Sequence, residues 1–352
     1  AVVVSSAINK NNPELQEARQ QKLLIVPRAE MLGELMRFRF GIAISGTHGK
    51  TTTTSLIVHI MSEAKLDPTY IIGGIINATG MNAKLGKSDY LIAEADESDA
   101  SFLHLQPMLS VITNIDEDHM STYNHNYDNL IDAFVSFTSN LPFYGVCVAC
   151  IDDNGVKDIL KKIHRPVLSY GFSDDADVKA TNVKQSEMKM SFDVTCKKYQ
   201  KKFPVSLNLM GRHNILNSLA AISVAIELDI ELKVIQKALS HFSGVSRRLD
   251  YHQNLIVNTH LVPLFDDYGH HPNEITEVVS TLRNTYPDKR LMVIFQPHRY
   301  SRTRDLFNDF VSCLSKVDTL VLLNIYPANE SPINTSSSSK LADSIRKRST
   351  ID

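Results

Sequence analysis

Gly46-Thr47-His48-Gly49-Lys50-Thr51-Thr52-Thr53-Thr54 is the stretch that decides the fold of this chain. It follows the apolar run 41–45, which predicts a buried strand, and precedes 55–61, whose closely spaced apolar residues predict a helix. Strand, glycine-rich turn, lysine, threonine and helix in this order are typical of a phosphate-binding loop. Such a loop offers backbone N–H groups and a helix N-terminus to phosphate oxygens. Lys50 is placed to reach the outer phosphates, and the Thr51 hydroxyl is placed to bind Mg²⁺.

The loop is shorter than the usual pattern. That pattern has a glycine five places before the second glycine, and Ile44 occupies the place here. The alternative is a tight strand-to-helix turn with an incidental lysine. The correct order of strand, loop and helix favours the phosphate loop.

Composition bounds the class of protein. The 352 residues predict two domains or slightly more, and 43% hydrophobic with 22% charged residues is ordinary for a globular protein. A net charge of −2 gives no bulk attraction to nucleic acid or to a membrane surface. We expect neither nucleic-acid binding nor membrane insertion.

The cysteines favour a reducing compartment. Cys147 and Cys150 have metal-site spacing, but they lie in the apolar run 146–151, which predicts buried thiols in a strand. No 18-residue apolar span and no signal-peptide pattern is found. We therefore expect a soluble protein of a cytosolic, reducing compartment.

The chain predicts an α/β fold in three parts. Residues 1–39 predict a βαβα unit, with Asn12 capping the first helix, that begins inside a sheet; we expect it to be the remainder of an N-terminal domain. Residues 40–243 predict a central domain whose short apolar strands are typical of a parallel sheet, with lysine-rich hairpins at 178–209 on one edge. Residues 244–352 predict a third α/β domain, possibly incomplete, with a helix at 304–314 and a loop at 334–339.

Acidic residues follow two strands of the predicted central sheet. Glu94-Ala95-Asp96-Glu97-Ser98-Asp99 comes after the strand 90–93, where α/β folds place ligands and where a cation would relieve the repulsion. Asn114 to His119 follows the strand 109–112, and His119 is a candidate metal or substrate ligand. The alternatives are a solvated acidic loop and a structural histidine.

Polar clusters also mark later parts of the chain. His213, Asn214 and Asn217 open a helix and could contact a nucleotide base or ribose, the alternative being plain helix capping. In the third domain, 266–272 and 296–302 each follow a strand, and the paired arginines 247 and 248 suit carboxylate or phosphate. These residues together predict an ATP- and Mg²⁺-dependent enzyme with an anionic substrate.

The motifs resemble those of the ATP-dependent Mur ligases. The resemblance rests on 46–51, 94–99, 114–119, 211–214, 266–272 and 296–299, which occur in the family's order over most of the chain. It implies a three-domain architecture: a partial N-terminal Rossmann-like UDP-sugar domain, a central P-loop ATPase domain and a C-terminal Rossmann-like domain. The motif forms are most similar to the members that join L-alanine to UDP-N-acetylmuramate through an acyl phosphate, in peptidoglycan precursor synthesis.

The resemblance also implies roles for individual residues. ATP and Mg²⁺ are the implied cofactors, with UDP-N-acetylmuramate and L-alanine as substrates. The implied catalytic residues are Lys50, His119, His298 and Arg302. The implied nucleotide contacts are Gly46, Thr47, His48, Gly49, Lys50, Thr51, Thr52, His213, Asn214, Asn217 and Arg247. The implied metal ligands are Thr51, Glu94 and His119, and the implied substrate contacts are Asp267, Tyr268, His270 and Arg299.

One departure and three rival functions stay open. The glycine-rich start of the UDP-sugar domain is absent from this sequence, so UDP recognition is implied by the family alone. The first rival is a sibling ligase that attaches a whole peptide to the same UDP-sugar. A folylpolyglutamate-type ligase is a second, which the motif 266–272 argues against, and a non-catalytic nucleotide switch is a third.

Overall fold

The computed structural model describes residues 1–197, 200–333 and 336–349. The chain divides into two compact units. The first comprises Ala1–Lys184, Lys189–Leu209 and His213–Val245. The second runs from Ser246 onward and includes two short stretches, Gln185–Met188 and Met210–Arg212. Each unit is described by itself.

A small parallel sheet opens the first unit. Strands β1 (Val2–Val4) and β2 (Ile25–Pro27) pair in parallel around α1 (Pro13–Gln20), and α2 (Arg28–Arg37) follows. The Asn12 side chain accepts a hydrogen bond from the Glu14 N–H at 2.8 Å, so the predicted helix cap is confirmed. These elements form the βαβα arrangement expected from the sequence.

A ten-stranded sheet forms the body of the first unit. Its order is β12-β11-β10-β9-β8-β7-β3-β6-β4-β5. The strands are β3 (Phe40–Ser45), β4 (Thr69–Ile76), β5 (Met81–Lys84), β6 (Tyr90–Glu94), β7 (Leu109–Ile112), β8 (Val146–Cys150), β9 (Val167–Gly171), β10 (Val178–Ser186), β11 (Lys189–Cys196) and β12 (Lys201–Leu207). Strand β3 pairs in parallel with both β6 and β7. The loops that follow these three strands therefore meet at one edge of the sheet.

Helices cover both faces of this sheet. They are α3 (Lys50–Glu63), α4 (Tyr127–Ser139), α5 (Asn154–Leu160), α6 (Arg212–Glu227) and α7 (Leu232–His241), with 3₁₀ turns at Ser101–His104 and Met120–Tyr123. Ile42 and Ile44 of β3 belong to the core that holds α3, α6 and α7, whereas Ala43 belongs to the opposite core with α4. Burial on both faces explains why the central strands read as continuous apolar runs.

Two predictions about the sheet are confirmed. Strands β10 to β12 form the predicted edge, with β11 and β12 antiparallel. Cys147 and Cys150 lie buried in β8 as free thiols, and burial raises the pKa of Cys147 to about 11 and that of Cys150 to about 12. They are core residues that do not ionise near neutral pH. Across the described residues, no helix has the length and hydropathy needed to cross a membrane.

The second unit contains two small sheets and four helices among its described residues. Strands β13 (Asp250–Val257) and β14 (His260–Asp266) form a hairpin, and β15 (Met292–Phe295) pairs in parallel with β16 (Thr319–Leu322). The helices are α8 (Pro272–Thr285), α9 (Tyr300–Asp305), α10 (Phe307–Leu314) and α11 (Ser338–Arg348). Phe295, Phe310 and Leu341 belong to one apolar core.

Two predictions for this unit are wrong. The single helix expected at 304–314 is two helices, because the backbone leaves the helical conformation at Leu306, with φ −106° and ψ 25°. The loop expected at 334–339 ends earlier, since Ser337 caps α11 through its hydroxyl and the helix starts at Ser338. Asn334 and Thr335 of that predicted loop lie outside the described residues.

Phe134 offers a test of the core beside α4. Its ring lies 5.2 Å from that of Phe102, and both side chains are fully buried. We expect Phe134→Ala to lower the free energy of unfolding of the first unit by about 3–5 kcal/mol, because a cavity replaces the ring. Urea titration followed by circular dichroism measures the change. Phe143→Ala is the matched control, since Phe143 is 83% exposed and its loss should cost less than about 0.5 kcal/mol. Equal effects would contradict the assigned core.

Candidate functional site

The loop between β3 and α3 requires both of its glycines. Gly46 has φ +128° and Gly49 has φ +82°, in the region that side chains rarely adopt. A Cβ at Gly46 would lie 2.1 Å from Thr113 Oγ1, and one at Gly49 would lie 2.4 Å from Asn217 Oδ1. Gly49 stands at the N-cap of α3 and has no side chain with which to cap the helix. The helix start therefore offers its first N–H groups to an anion.

The segment that follows β7 holds this loop in shape. Asn114 accepts the His48 N–H at 2.8 Å and donates to the His48 carbonyl at 3.0 Å. The Thr113 hydroxyl donates to the same carbonyl at 2.6 Å. The Thr47 hydroxyl accepts the Asp116 N–H at 2.9 Å. Thr113 and Asn114 thus fix the loop backbone, a role that the sequence pattern did not assign to them.

Lys50 is paired with a buried carboxylate. Its ammonium donates to Glu97 Oε2 at 2.8 Å and Oε1 at 3.0 Å, to the Gly46 carbonyl at 2.7 Å and to the Thr47 carbonyl at 3.2 Å. Glu97 is 2% exposed, and burial raises its pKa to about 7 although Lys50 pulls in the opposite direction. Tyr123 holds the Glu97 carbonyl through its hydroxyl. The sequence prediction included Glu97 in the acidic run 94–99 but assigned it no role of its own.

Thr51 and Glu94 are brought together as predicted neighbours. The Thr51 hydroxyl donates to Glu94 Oε2 at 3.3 Å, and Glu94 Oε1 accepts the Gly73 N–H at 2.7 Å. A hydroxyl and an oriented carboxylate are oxygen donors of the kind that Mg²⁺ prefers, so these two residues fit the ion. The backbone N–H of His119 donates to Oδ1 of Asp118, the preceding residue, at 2.8 Å. Its role as a metal ligand stays a prediction.

Helix α6 places its asparagines beside α3. Asn217 Oδ1 accepts the Thr53 hydroxyl at 3.3 Å, and Asn217 Nδ2 donates to Asn214 Oδ1 at 3.0 Å. Both asparagines are buried, as is Thr52 in the first turn of α3. His213 precedes them on the first turn of α6. These contacts tie α6 to α3, and the contacts of these residues with a nucleotide stay predictions.

Histidine and arginine side chains cluster in the second unit. The His298 ring lies 5.8 Å from His270 and stacks on Tyr326 at 5.5 Å. Arg302 Nη1 is 3.4 Å from His298 Nδ1, and Tyr268 packs edge-on against His270 at 5.2 Å. Burial lowers the pKa of His298, and the neighbouring Arg302 and Arg299 add to the effect. The structure thus gathers the predicted residues His270, Arg299 and Arg302 around the imidazole of His298, and Tyr268 packs against His270.

Other predicted residues of this unit contact Tyr268 or the loop that carries it. Arg247 and Arg248 lie over the Tyr268 ring at 5.3 and 5.4 Å, and Arg247 Nε is 3.4 Å from Asp266 Oδ2. Asp267 accepts the Gly269 N–H at 2.7 Å and the Leu249 N–H at 2.6 Å. Burial raises the pKa of Asp267, and these N–H groups oppose the rise. Asp267 therefore shapes the loop, and its contact with the substrate stays a prediction.

The chain is similar to the Mur ligases over most of its length. Three family models match: the Mur ligase family catalytic domain over 1–40, the Mur ligase middle domain over 44–225 and the Mur ligase glutamate ligase domain over 247–351. A curated relative from Vesicomyosocius okutanii, UDP-N-acetylmuramate–L-alanine ligase, is 65% identical over 352 residues, all of this chain and 75% of the relative. A relative of the same name from Hydrogenovibrio crunogenus is 54% identical over 347 residues, 99% of this chain and 75% of the relative.

Solved structures share the fold. UDP-N-acetylmuramate-alanine ligase MurC from Thermotoga maritima aligns with a TM-score of 0.83 at 24% identity, covering 99% of this chain and 75% of that one. A murein peptide ligase from Psychrobacter arcticus aligns with a TM-score of 0.72 at 22% identity, covering 98% and 75%. The fold and the loop together define an α/β protein that carries the sequence motif of a phosphate-binding loop. The chain belongs to the Mur ligase family, and the three-domain Mur ligase fold expected from the sequence is confirmed.

Glu97 should titrate near neutral pH. Its pKa of about 7 in the folded protein lies above the ordinary 4.5. Protonation of Glu97 therefore adds to the free energy of unfolding; this contribution is complete below about pH 4.5 and is lost as pH rises through 7. We expect the Glu97 carboxyl carbon in a ¹³C NMR titration to show this raised midpoint. Lys50→Met should raise the midpoint further, because it removes the cation that favours the carboxylate. Lys162→Met, at an exposed pair, is the control and should leave it unchanged. A midpoint near 4.5 would show that Glu97 is solvated.

Proposed function

We propose that this protein is an ATP-dependent ligase that joins L-alanine to the carboxylate of UDP-N-acetylmuramate in peptidoglycan precursor synthesis in the bacterial cytoplasm. The observation that carries the proposal is 65% identity over the whole chain to a curated relative of that name. The site agrees chemically, since a phosphate loop lies in the first unit and a cationic cluster lies in the second. We also propose the domain division 1–39, 40–243 and 244–352.

The reaction needs activation of a poor acyl donor. A carboxylate resists attack by an amine because oxide is not a leaving group. Its oxygen therefore attacks the γ-phosphorus of ATP, ADP leaves, and an acyl phosphate forms. The amine of L-alanine then attacks the acyl carbon, loses a proton and expels phosphate. The protein's task is to align the reactants and to stabilise the charge on the transferred phosphoryl group.

The first unit supplies the phosphate-binding residues of the proposal. Residues 46–49 and Thr52 are assigned to the phosphates of ATP, which the start of α3 would bind through backbone N–H groups, and the Lys50 ammonium would neutralise the outer phosphates. Thr51 and Glu94 would hold Mg²⁺, with His119 as the third ligand that the family motif implies. The ion would withdraw charge from the phosphate oxygens. His213, Asn214 and Asn217 are assigned to the adenosine.

The second unit supplies the cationic and imidazole groups. Arg247 is assigned to ATP, since its guanidinium suits a phosphate. Asp267, Tyr268, His270 and Arg299 are assigned to the amino-acid substrate. His298 and Arg302 are assigned to the catalytic group, because the low pKa of His298 leaves a neutral imidazole beside a cation. A neutral imidazole can accept the proton that the attacking amine loses.

Lys50 is the sharpest test of the phosphate site. We expect Lys50→Ala to lower kcat by at least about 100-fold, because the charge that develops on the phosphoryl group loses its cation. Release of ADP and phosphate under saturating substrates measures the effect, and circular dichroism checks the fold. Lys162→Ala, an exposed lysine of the same unit, is the control and should keep wild-type turnover. Near-full ATP consumption by Lys50→Ala would contradict the assignment.

The amino-acid substrate is tested by competition. The full-length protein receives ATP, Mg²⁺ and UDP-N-acetylmuramate, while L-alanine, L-serine, glycine and a short peptide compete. Mass spectrometry weighs the products, and we expect the alanine adduct to dominate. A dominant peptide adduct would move the protein to the sibling peptide ligases. ATP hydrolysis without any adduct would overturn the ligase assignment in favour of a nucleotide switch.

A further inference from the structure

A loop that carries three proposed site residues is held from a distant part of the second unit. His298 and Arg299 lie between β15 and α9, and Arg302 lies on α9. The chain after β16 returns beside them. The Tyr326 N–H donates to the Pro297 carbonyl, and the Arg299 N–H donates to the Tyr326 carbonyl, each at 2.8 Å. The backbone of the loop is thus fixed on both sides of His298.

Glu330 adds a second anchor, three residues past the turn at Pro327. Its Oε2 accepts the Ser301 N–H at 2.9 Å, and its Oε1 accepts the Ser301 hydroxyl at 2.6 Å. Burial opposes ionisation of this carboxyl, but the two Ser301 donors and the Arg299 charge outweigh it and lower the pKa of Glu330. Glu330 is therefore a charged acceptor at the first turn of α9, the kind that makes the stronger hydrogen bonds.

The loop needs such anchors because its backbone is strained. Arg299 adopts φ +73°, a conformation that non-glycine residues rarely hold unless their surroundings enforce it. The Arg299 carbonyl accepts a hydrogen bond from the Thr303 hydroxyl at 2.8 Å, so a residue of α9 holds the carbonyl side of Arg299. The Arg299 N–H is held by its hydrogen bond to the Tyr326 carbonyl. Glu330 holds Ser301, which lies between Arg299 and Thr303 in the chain.

The anchored turn also determines how the side chains are arranged. Arg302 is 8% exposed, and its Nη1 lies 3.4 Å from His298 Nδ1. The His298 ring stacks on Tyr326 with an interplanar angle of 20°. A rotation of the first turn of α9 would change both the His298–Arg302 distance and the direction of the Arg299 side chain. These are the groups that the proposed function assigns to catalysis and to the amino acid.

We propose that Glu330 is a positioning residue for the ligase reaction: by holding Ser301 it fixes the orientation of His298, Arg299 and Arg302. Glu330 acts through Ser301 and does not itself touch the substrate. The proposal rests on the proposed function, because the three residues that it orients are those assigned to substrate and catalysis there. The competing explanation is that Glu330 only stabilises a short helix.

Two variants and a matched control separate these explanations. Glu330→Ala removes both acceptors, and Glu330→Gln keeps the shape and loses the charge. Asp318→Asn is the control: Asp318 accepts the Leu291 N–H at 2.7 Å and pairs with Arg283 at 2.7 Å, so it anchors the same unit away from His298. The midpoint of thermal unfolding is measured first, to check that the variants have similar stability. Steady-state kinetics and an NMR titration of the His298 imidazole are then compared.

We expect Glu330→Ala to lower kcat/KM for L-alanine by about 10- to 100-fold, since small misplacements of reacting groups cost factors of this size. Glu330→Gln should show a smaller loss, and the KM for ATP should change little in both variants. The pKa of His298 should fall in both, because Glu330 raises it against burial, Arg302 and Arg299. Asp318→Asn should keep the wild-type kcat/KM and His298 pKa.

Two results would overturn the proposal. One is a wild-type kcat/KM with an unchanged His298 pKa in both Glu330 variants. The other is a loss of kcat/KM that is equal in Glu330→Ala and Asp318→Asn, which would assign Glu330 a purely structural role. Failure of the proposed function is seen separately, because the wild-type protein would then form no alanine adduct while the His298 titration still reports on the anchor.

Discussion

The parallel register of β3 between β6 and β7 is the constraint on which the first unit depends. Ile44 is opposite Glu94 on one side, and Ser45 is opposite Ile112 on the other. All three strands therefore end at one level, and the chain leaves each of them at the same edge of the sheet. The Thr51–Glu94 and Lys50–Glu97 contacts, and the grip of Asn114 on His48, all follow from that alignment. A slip of one residue would separate every one of these pairs.

The alignment brings two charges into a buried setting. A buried carboxylate is costly unless a cation and hydrogen-bond donors compensate it, and Lys50 supplies the cation for Glu97. The compensation is partial, as the raised pKa of Glu97 shows. Lys50 in turn is directed by four acceptors that belong to two loops. The position of the lysine is thus a property of the sheet edge as a whole.

The sequence was sufficient for elements whose signal is local. The phosphate loop, the central strands and the Asn12 cap each depend on a few adjacent residues. The acidic run 94–99 shows where local patterns fail. Its carboxylates look alike in the sequence, yet Glu94 contacts Thr51, Glu97 contacts Lys50 and Asp99 contacts Ser6. The three carboxylates reach different partners because the backbone of 95–100 is irregular and points their side chains in different directions. Glu330 was missed for a similar reason, since its partner lies 29 positions away.

The two units solve the problem of an unusual backbone in different ways. In the loop after β3, Gly46 and Gly49 accept positive φ at no steric cost, and neighbouring atoms leave no room for a Cβ. Glycine would relieve the same strain at Arg299, but it would also remove the guanidinium. The strain must therefore be offset by contacts elsewhere, which Tyr326, Thr303 and Glu330 provide. A non-glycine residue held at positive φ by contacts on both its N–H and its carbonyl is best explained by a need for its side chain.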